Sequence, residues 1–202
     1  MNRYARTAVV VAVGLVVVAA AFGVGRRTVR LDSEAAPNRV DIGFAQDMRE
    51  HHSQAATMSL TILDRTQDPD LRRLAADIAS TQLVEIGMLT GWLQLWHQPE
   101  QSDHSMSWMA GASDAAEHSM GMASGSEQQQ LSTLPGPDAE QLYLRLVRTH
   151  HLAGIHMAHI ASDLAGTPQV RNAAAAMSRA QQLDITRIDA LVALRTLARS
   201  AR

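Results

Sequence analysis

MREHHSQAATM, Met48 to Met58, decides the reading of the whole chain, because a shifted copy, VRTHHLAGIHM, lies at Val147 to Met157, 99 positions later. The offset holds without a gap well beyond that stretch. It pairs Arg49 with Arg148, His51 and His52 with His150 and His151, Met58 with Met157, Asp64 with Asp163, Pro69 with Pro168, Arg72 with Arg171, Gln82 with Gln181 and Ile86 with Ile185. Phe44/Tyr143 and Glu85/Asp184 are conservative pairs. The chain reads as two copies of one unit, each with a His-His pair early and Gln-x-x-(Glu/Asp)-Ile late, joined by a segment rich in His and Met.

Outward from the quoted stretch, the punctuation is helical. Asn38 can cap a first helix, with Asp41 in the capping-box position, running to about Arg65. Asp68-Pro69 is a cap followed by proline at the first helical position, which opens a second helix to about Trp96, before Pro99. In the second copy Gly136-Pro137-Asp138 opens a third helix, Gly166 stops it, and Thr167-Pro168 opens a fourth that reaches nearly to the C-terminus. Two helical hairpins, each too apolar on one face to stand alone, predict an antiparallel four-helix bundle with a quasi-twofold axis between its halves. The bundle domain is expected over 38–199, divided into a first repeat 38–96, a connection 97–136 and a second repeat 137–199. The connection, HQPEQSDHSMSWMAGASDAAEHSMGMASGSEQQQ and its flank, has little apolar periodicity and reads as a mobile loop with a short helical piece. A connection of that length in a compact domain signals function or disorder.

Upstream, Arg3 and Arg6 precede an uncharged apolar run of 18 residues, Ala8 to Gly25, so residues 1–30 are expected to form a hydrophobic helix acting as an export signal or membrane anchor. A run of this length leans towards an uncleaved anchor, since secretory apolar cores span about 7–15 residues and membrane helices about 20. Ala19-Ala20-Ala21 would serve as the cleavage site in the alternative. The expected location is the cell membrane, single-pass with an extracytoplasmic domain, or outside the cell after cleavage. Residues 31–37 read as a polar linker.

The chain has 202 residues, is 46% apolar and carries a net charge of -2, enough to bury one sizeable core beyond its N-terminus. Near-neutral, interspersed charge gives no electrostatic reason to propose nucleic acid as a partner. Cysteine is absent, which excludes disulfides, thiolate metal sites and Cys nucleophiles. Nine His and ten Met are the unusual features.

On a helix His51 and His52 point about 100° apart, so they cannot both face one centre directly. A hairpin closed at 66–69 places position 51 as far from the turn as position 84 or 85, which puts His51 or His52 near Glu85 and His150 or His151 near Asp184. One reading is structural: each carboxylate partners a buried imidazole and fixes helix register. The other is a metal site, because imidazole and thioether together suit copper, with Met favouring Cu(I). Its candidate ligands on the helices are Met48, His51, His52, Met58, Glu85, His150, His151, His156 and Met157. The connecting segment adds two His-Ser-Met motifs, giving His104, Met106, Met109, His118, Met120 and Met122. Thioethers have no proton to lose, so Cu(I) or Ag(I) capture by Met persists in mild acid where His ligands protonate. Zinc gains little from thioethers. The Glu-x-x-His motifs of di-iron bundles, phosphate loops and serine-nucleophile patterns are all missing from the helices, so no enzyme activity is expected.

The duplicated pattern resembles the DUF305 family, whose repeats look like M-x-x-HH-x-x-A-x-x-M followed by Q-x-x-E-I. Met48, His51, His52, Ala55, Met58, Gln82, Glu85 and Ile86 match in the first copy, and His150, His151, Gly154, Met157, Gln181 and Ile185 in the second. Val147 and Asp184 depart from the pattern, where Met and Glu are usual. The resemblance spans about residues 38–196 and implies a ferritin-like four-helix bundle, exported or membrane-anchored. Some members are similar to periplasmic copper-binding proteins linked to metal resistance. The function expected is therefore non-enzymatic copper or silver binding and buffering, with a copper ion as cargo and a second copy or a copper-handling protein as partner. The alternative is a helical scaffold or protein-interaction module without metal.

Overall fold

The computed structural model describes residues 36–103, 105–109 and 121–200. The expected N-terminal hydrophobic helix and nearly all of the linker after it lie outside the described residues. Those that are described form five helices and no strand: α1 Arg39–Leu63, α2 Pro69–Leu95, α3 Gly125–Thr133, α4 Gly136–Leu164 and α5 Pro168–Ser200. The four long ones begin and end within a few residues of the positions that the caps and prolines predict. The short α3 is the helical piece anticipated in the connection. Among the described residues no helix is long and apolar enough to cross a membrane.

The starts of α1, α2 and α3 are local hydrogen-bonding solutions to the orphan amides of a first helical turn, while α4 opens at Pro135 without a side-chain cap. Asn38 Oδ1 accepts from the Val40 and Asp41 amides at 2.7 and 3.0 Å, and Asp41 Oδ2 accepts from the Asn38 amide at 2.8 Å. This reciprocal box stabilises α1 by about 1 kcal/mol. Asp68 Oδ1 accepts from the Asp70 and Leu71 amides at 2.9 and 3.1 Å and caps α2 without a reciprocal partner, ahead of Pro69.

The same end residues tie one hairpin to the other. The fully buried Asp41 carboxylate also accepts from the Gly166 amide at 2.8 Å and from the Thr167 amide and hydroxyl at 3.0 and 2.6 Å, holding the α4–α5 turn. Glu140, 99 positions on, accepts from the Thr66 hydroxyl at 2.5 Å and pairs with Arg195 at 3.1 Å, holding the α1–α2 turn. Arg72 and Arg171 each donate to the closing carbonyls of their own hairpin, Leu63 and Thr66 for the first, Ala165 and Gly166 for the second. The two hairpins are thus built alike, and α1 packs along α4 as their main seam.

The apolar core falls into two clusters. One joins Phe44, Ala45 and Met48 of α1 to Leu89 and Leu93 of α2, Met157, Ala158 and Ala161 of α4, and Val170, Ala174 and Met177 of α5. The other joins Met58 and Ile62 of α1 to Leu71, Leu74 and Ile78 of α2, Tyr143, Leu146 and Val147 of α4, and Ile188 of α5. Between the clusters each of the four long helices contributes buried polar side chains to the interior.

The connection after α2 is not uniformly loose. Gln46 holds the Pro99 and Gln101 carbonyls at 2.9 and 3.2 Å. Beyond them Ser105 to Met109 lie as a strap on α1. There Asp47 accepts from the Ser105 hydroxyl at 3.1 Å, the Met106 amide at 2.7 Å and the Trp108 indole at 2.7 Å. Trp108 sits edge-on to Phe44, 5.9 Å between centroids, in space that a side chain at Gly43 would fill. Met106 and Met109 are buried in the first cluster, so they have a packing role that the polar composition around them conceals.

Candidate functional site

The polar layer between the clusters is made of the repeated residues. His51 and His52 project from α1, Gln82 and Glu85 from α2, His150 and His151 from α4, Gln181 and Asp184 from α5. All four histidines are at most 1% exposed, and the two glutamines 2%. Helical geometry splits each His-His pair: the rings of His51 and His52 are 6.4 Å apart, those of His150 and His151 6.3 Å. One member of each pair turns to the other hairpin. His51 and His150 stack across the α1–α4 seam with centroids 3.6 Å apart and planes 26° from parallel. The second member turns to its own hairpin. His52 Nε2 lies 2.8 Å from Glu85 Oε2, and His151 Nε2 lies 3.5 Å from Asp184 Oδ2. These are the pairings that the distance from the turn predicts.

The layer is poorly satisfied. Both ring nitrogens of His52, His150 and His151 lack an aligned hydrogen-bond partner, and the close His52–Glu85 approach is out of line for a ring N–H bond. Gln82 Oε1 and both amide atoms of Gln181 are likewise unpaired. Gly154 makes room for Gln181: a Cβ there would stand 2.3 Å from Gln181 Oε1. Buried polar groups are rarely left without partners, and a cluster of them needs a chemical explanation.

Electrostatics keeps one of these rings neutral. Burial pushes the His150 pKa well below the usual imidazole value, the neighbouring His51, His151 and His52 push it further the same way, and a contact with the His51 backbone opposes them in part. A neutral imidazole carries a lone pair for a metal or a proton donor. Asp47, beside the layer on α1, has its carboxyl raised above the ordinary carboxylate range by burial. Hydrogen bonds from Met106, Trp108 and Ser105 offset part of that effect.

Of the other predicted ligands, Met48 and Met157 are fully buried in the first cluster, one to two helical turns from the histidines. Met88, Met106, Met109 and Met177 belong to the same cluster or pack on it, whereas Met58 lies in the second. Met122 is half-buried where the chain returns to α4; Gly121 passes so close to it that a Cβ would meet the Thr149 carbonyl oxygen at 2.6 Å. His156 is exposed on α4, away from the buried layer. His104, His118 and Met120 lie outside the described residues. Among the described residues no three His, Asp or Glu side chains converge where they could hold a metal ion. Sequence reasoning left Gln82, Gln181 and Asp184 out of the candidate site, although their place in the repeated Gln-x-x-(Glu/Asp)-Ile was the signal that could have included them. Nothing local marked Asp47 or Trp108.

Residues 41–192 match the DUF305 family, described as a domain of unknown function, and the chain belongs to that family. Its fold is similar to that of a DUF305 protein of Streptomyces coelicolor described as presumed secreted: TM-score 0.71, 41% identity, covering 78% of this chain and 92% of that one. CopM in its Cu(II)-bound form shares the fold at TM-score 0.60 and 22% identity, over 75% of this chain and 94% of that one. Uncharacterized protein L153 of Acanthamoeba polyphaga mimivirus is 42% identical over 53 residues, 26% of this chain; the match spans about a third, 35%, of that curated relative's length.

Proposed function

We propose that this chain is a non-enzymatic binder of soft monovalent metal, copper or silver, built on a ferritin-like four-helix bundle and held outside the cytoplasm by its N-terminal apolar segment. The observation that carries the reading is the buried layer in which His52, His150 and His151 have no aligned hydrogen-bond partner while thioethers crowd the adjoining cluster. Neutral imidazole and thioether are the donor set that Cu(I) and Ag(I) prefer. CopM, solved in Cu(I)-, Cu(II)- and Ag-bound forms, lends support through the shared fold. The export reading draws on the Ala8–Gly25 run and on the description of the Streptomyces relative. Since the imidazoles are stacked and splayed, not convergent, capture requires rotation of the rings about their side-chain torsions.

The test is anaerobic Cu(I) titration of the full chain against a competing chelator, at neutral and mildly acid pH, beside His52→Ala and His150→Ala variants. Tight sites that are lost in the variants and weaken in acid sustain the reading. Binding indifferent to both variants removes the layer from it.

The close His52–Glu85 contact supports a second reading, a helical scaffold whose His/carboxylate pairs only fix register. It predicts no shift of the melting temperature with Cu(I) or Ag(I).

A further inference from the structure

We propose that the outward face of α2 between Leu83 and Trp96 is a contact surface through which two copies of this chain associate. Leu83 is 52% exposed, Val84 73% and Leu95 68%. Val84, Gly87, Gly91 and Leu95 follow one another at helical spacing on one stripe, with half-buried Met88, Trp92 and Trp96 along its edge. A Cβ at Gly87 or Gly91 would meet nothing within 4 Å. Neither glycine is therefore required by packing inside the chain, although glycine weakens a helix interior. Bare glycines between large apolar side chains suit a place where a second backbone comes close.

Two features identify the occupant as a second copy. First, from Thr81 to Gln98 the only charged residue is Glu85, which is turned to His52, so two such faces meet without like-charge repulsion. Second, the stripe is self-complementary. About a twofold axis passing between the glycines, Gly87 of one copy faces Gly91 of the other and Leu83 faces Leu95. The equivalent residues of α5, Leu183, Thr186, Ala190 and Leu194, lie beside the first half of α2, since Arg187 pairs with Asp77 and Arg195 with Asp68, each at 2.7 Å, so they do not extend this face. A single four-turn helix face buries less than the about 800 Å² per partner of a stable complex, so the association is weak and concentration-dependent. This inference is independent of any metal.

The test is sedimentation velocity of the full chain over a concentration series at constant detergent, with Gly91→Arg alongside. The wild type is expected to pass from monomer to dimer as concentration rises, and Gly91→Arg to raise the dissociation constant at least tenfold with unchanged helical circular dichroism. Should that variant lose helicity, Val84→Glu, at a more exposed position, is read instead. A wild type that stays monomeric throughout, or a dimer indifferent to either variant, overturns the proposal. So does flotation with phosphatidylcholine vesicles that Gly91→Arg abolishes without altering self-association, which would give the face to a lipid surface.

Discussion

The two halves of the buried layer use the same four residue places and do not finish them alike. In the first half His52 approaches Glu85 to 2.8 Å, and Ala55 fills the wall of the site. In the second half, one methylene shorter at the carboxylate, His151 stands 3.5 Å from Asp184, which also pairs with Arg187 at 3.5 Å. Gly154 replaces Ala55 there, and Gln181 enters the space with both amide atoms unpaired. The difference teaches that the fold needs a polar layer at this height in both hairpins but needs a close His–carboxylate contact in only one. The looser half is the one whose glutamine has no partner for either amide atom.

The largest effect should come from breaking the tight half. His52→Ala removes a fully buried ring and leaves the mostly buried Glu85 facing a cavity, a loss of about 2–4 kcal/mol in denaturant unfolding. His151→Ala should cost about 1 kcal/mol less, because its carboxylate is already shared with Arg187. Equal losses would mean that the contact distances carry no energetic difference.

Acid should act next, through the seam that joins the halves. His150 is depressed in the folded state by burial and by its neighbouring imidazoles, so below the unfolded value of about 6.5 the unfolded chain binds more protons than the folded one. Stability is then complete above about pH 6.5 and falls as pH drops, by up to about 1.4 kcal/mol per unit from this group. Unfolding titrations between pH 7 and 5 check the slope, and His150→Gln should flatten it.

The smallest effect sharpens the comparison by exchange. Asp184→Glu restores the longer arm and should stabilise the second half by about 0.5–1 kcal/mol, while Glu85→Asp should cost the first half a similar amount. Urea midpoints of the two variants, moving in opposite directions, would confirm that arm length sets the asymmetry.

Much of this architecture was legible in the sequence because its determinants are local or repeated. Asn38, Asp68-Pro69, Gly136-Pro137 and Thr167-Pro168 mark the helices, and counting from the turn placed His51 or His52 by Glu85 and His150 or His151 by Asp184. Longer-range features were not legible. The His51–His150 stack depends on how α1 crosses α4, which no spacing within either repeat encodes. The strap pinned by Asp47 joins residues 61 positions apart through Trp108, with a left-handed turn at Met106, and its polar composition reads as loop. Gln82 and Gln181 were visible as repeats, yet their burial without partners follows only from the apolar clusters above and below them.

The most direct measurement is the histidine ring resonances of ¹⁵N-labelled protein during titration with Ag(I), a diamagnetic stand-in for Cu(I). The account predicts that the ring nitrogens of the buried His52, His150 and His151 shift at the first equivalents, ahead of the exposed His97, His156 and His159. Shifts confined to the exposed histidines, with the buried rings unmoved at saturation, would contradict it and leave the layer a structural one.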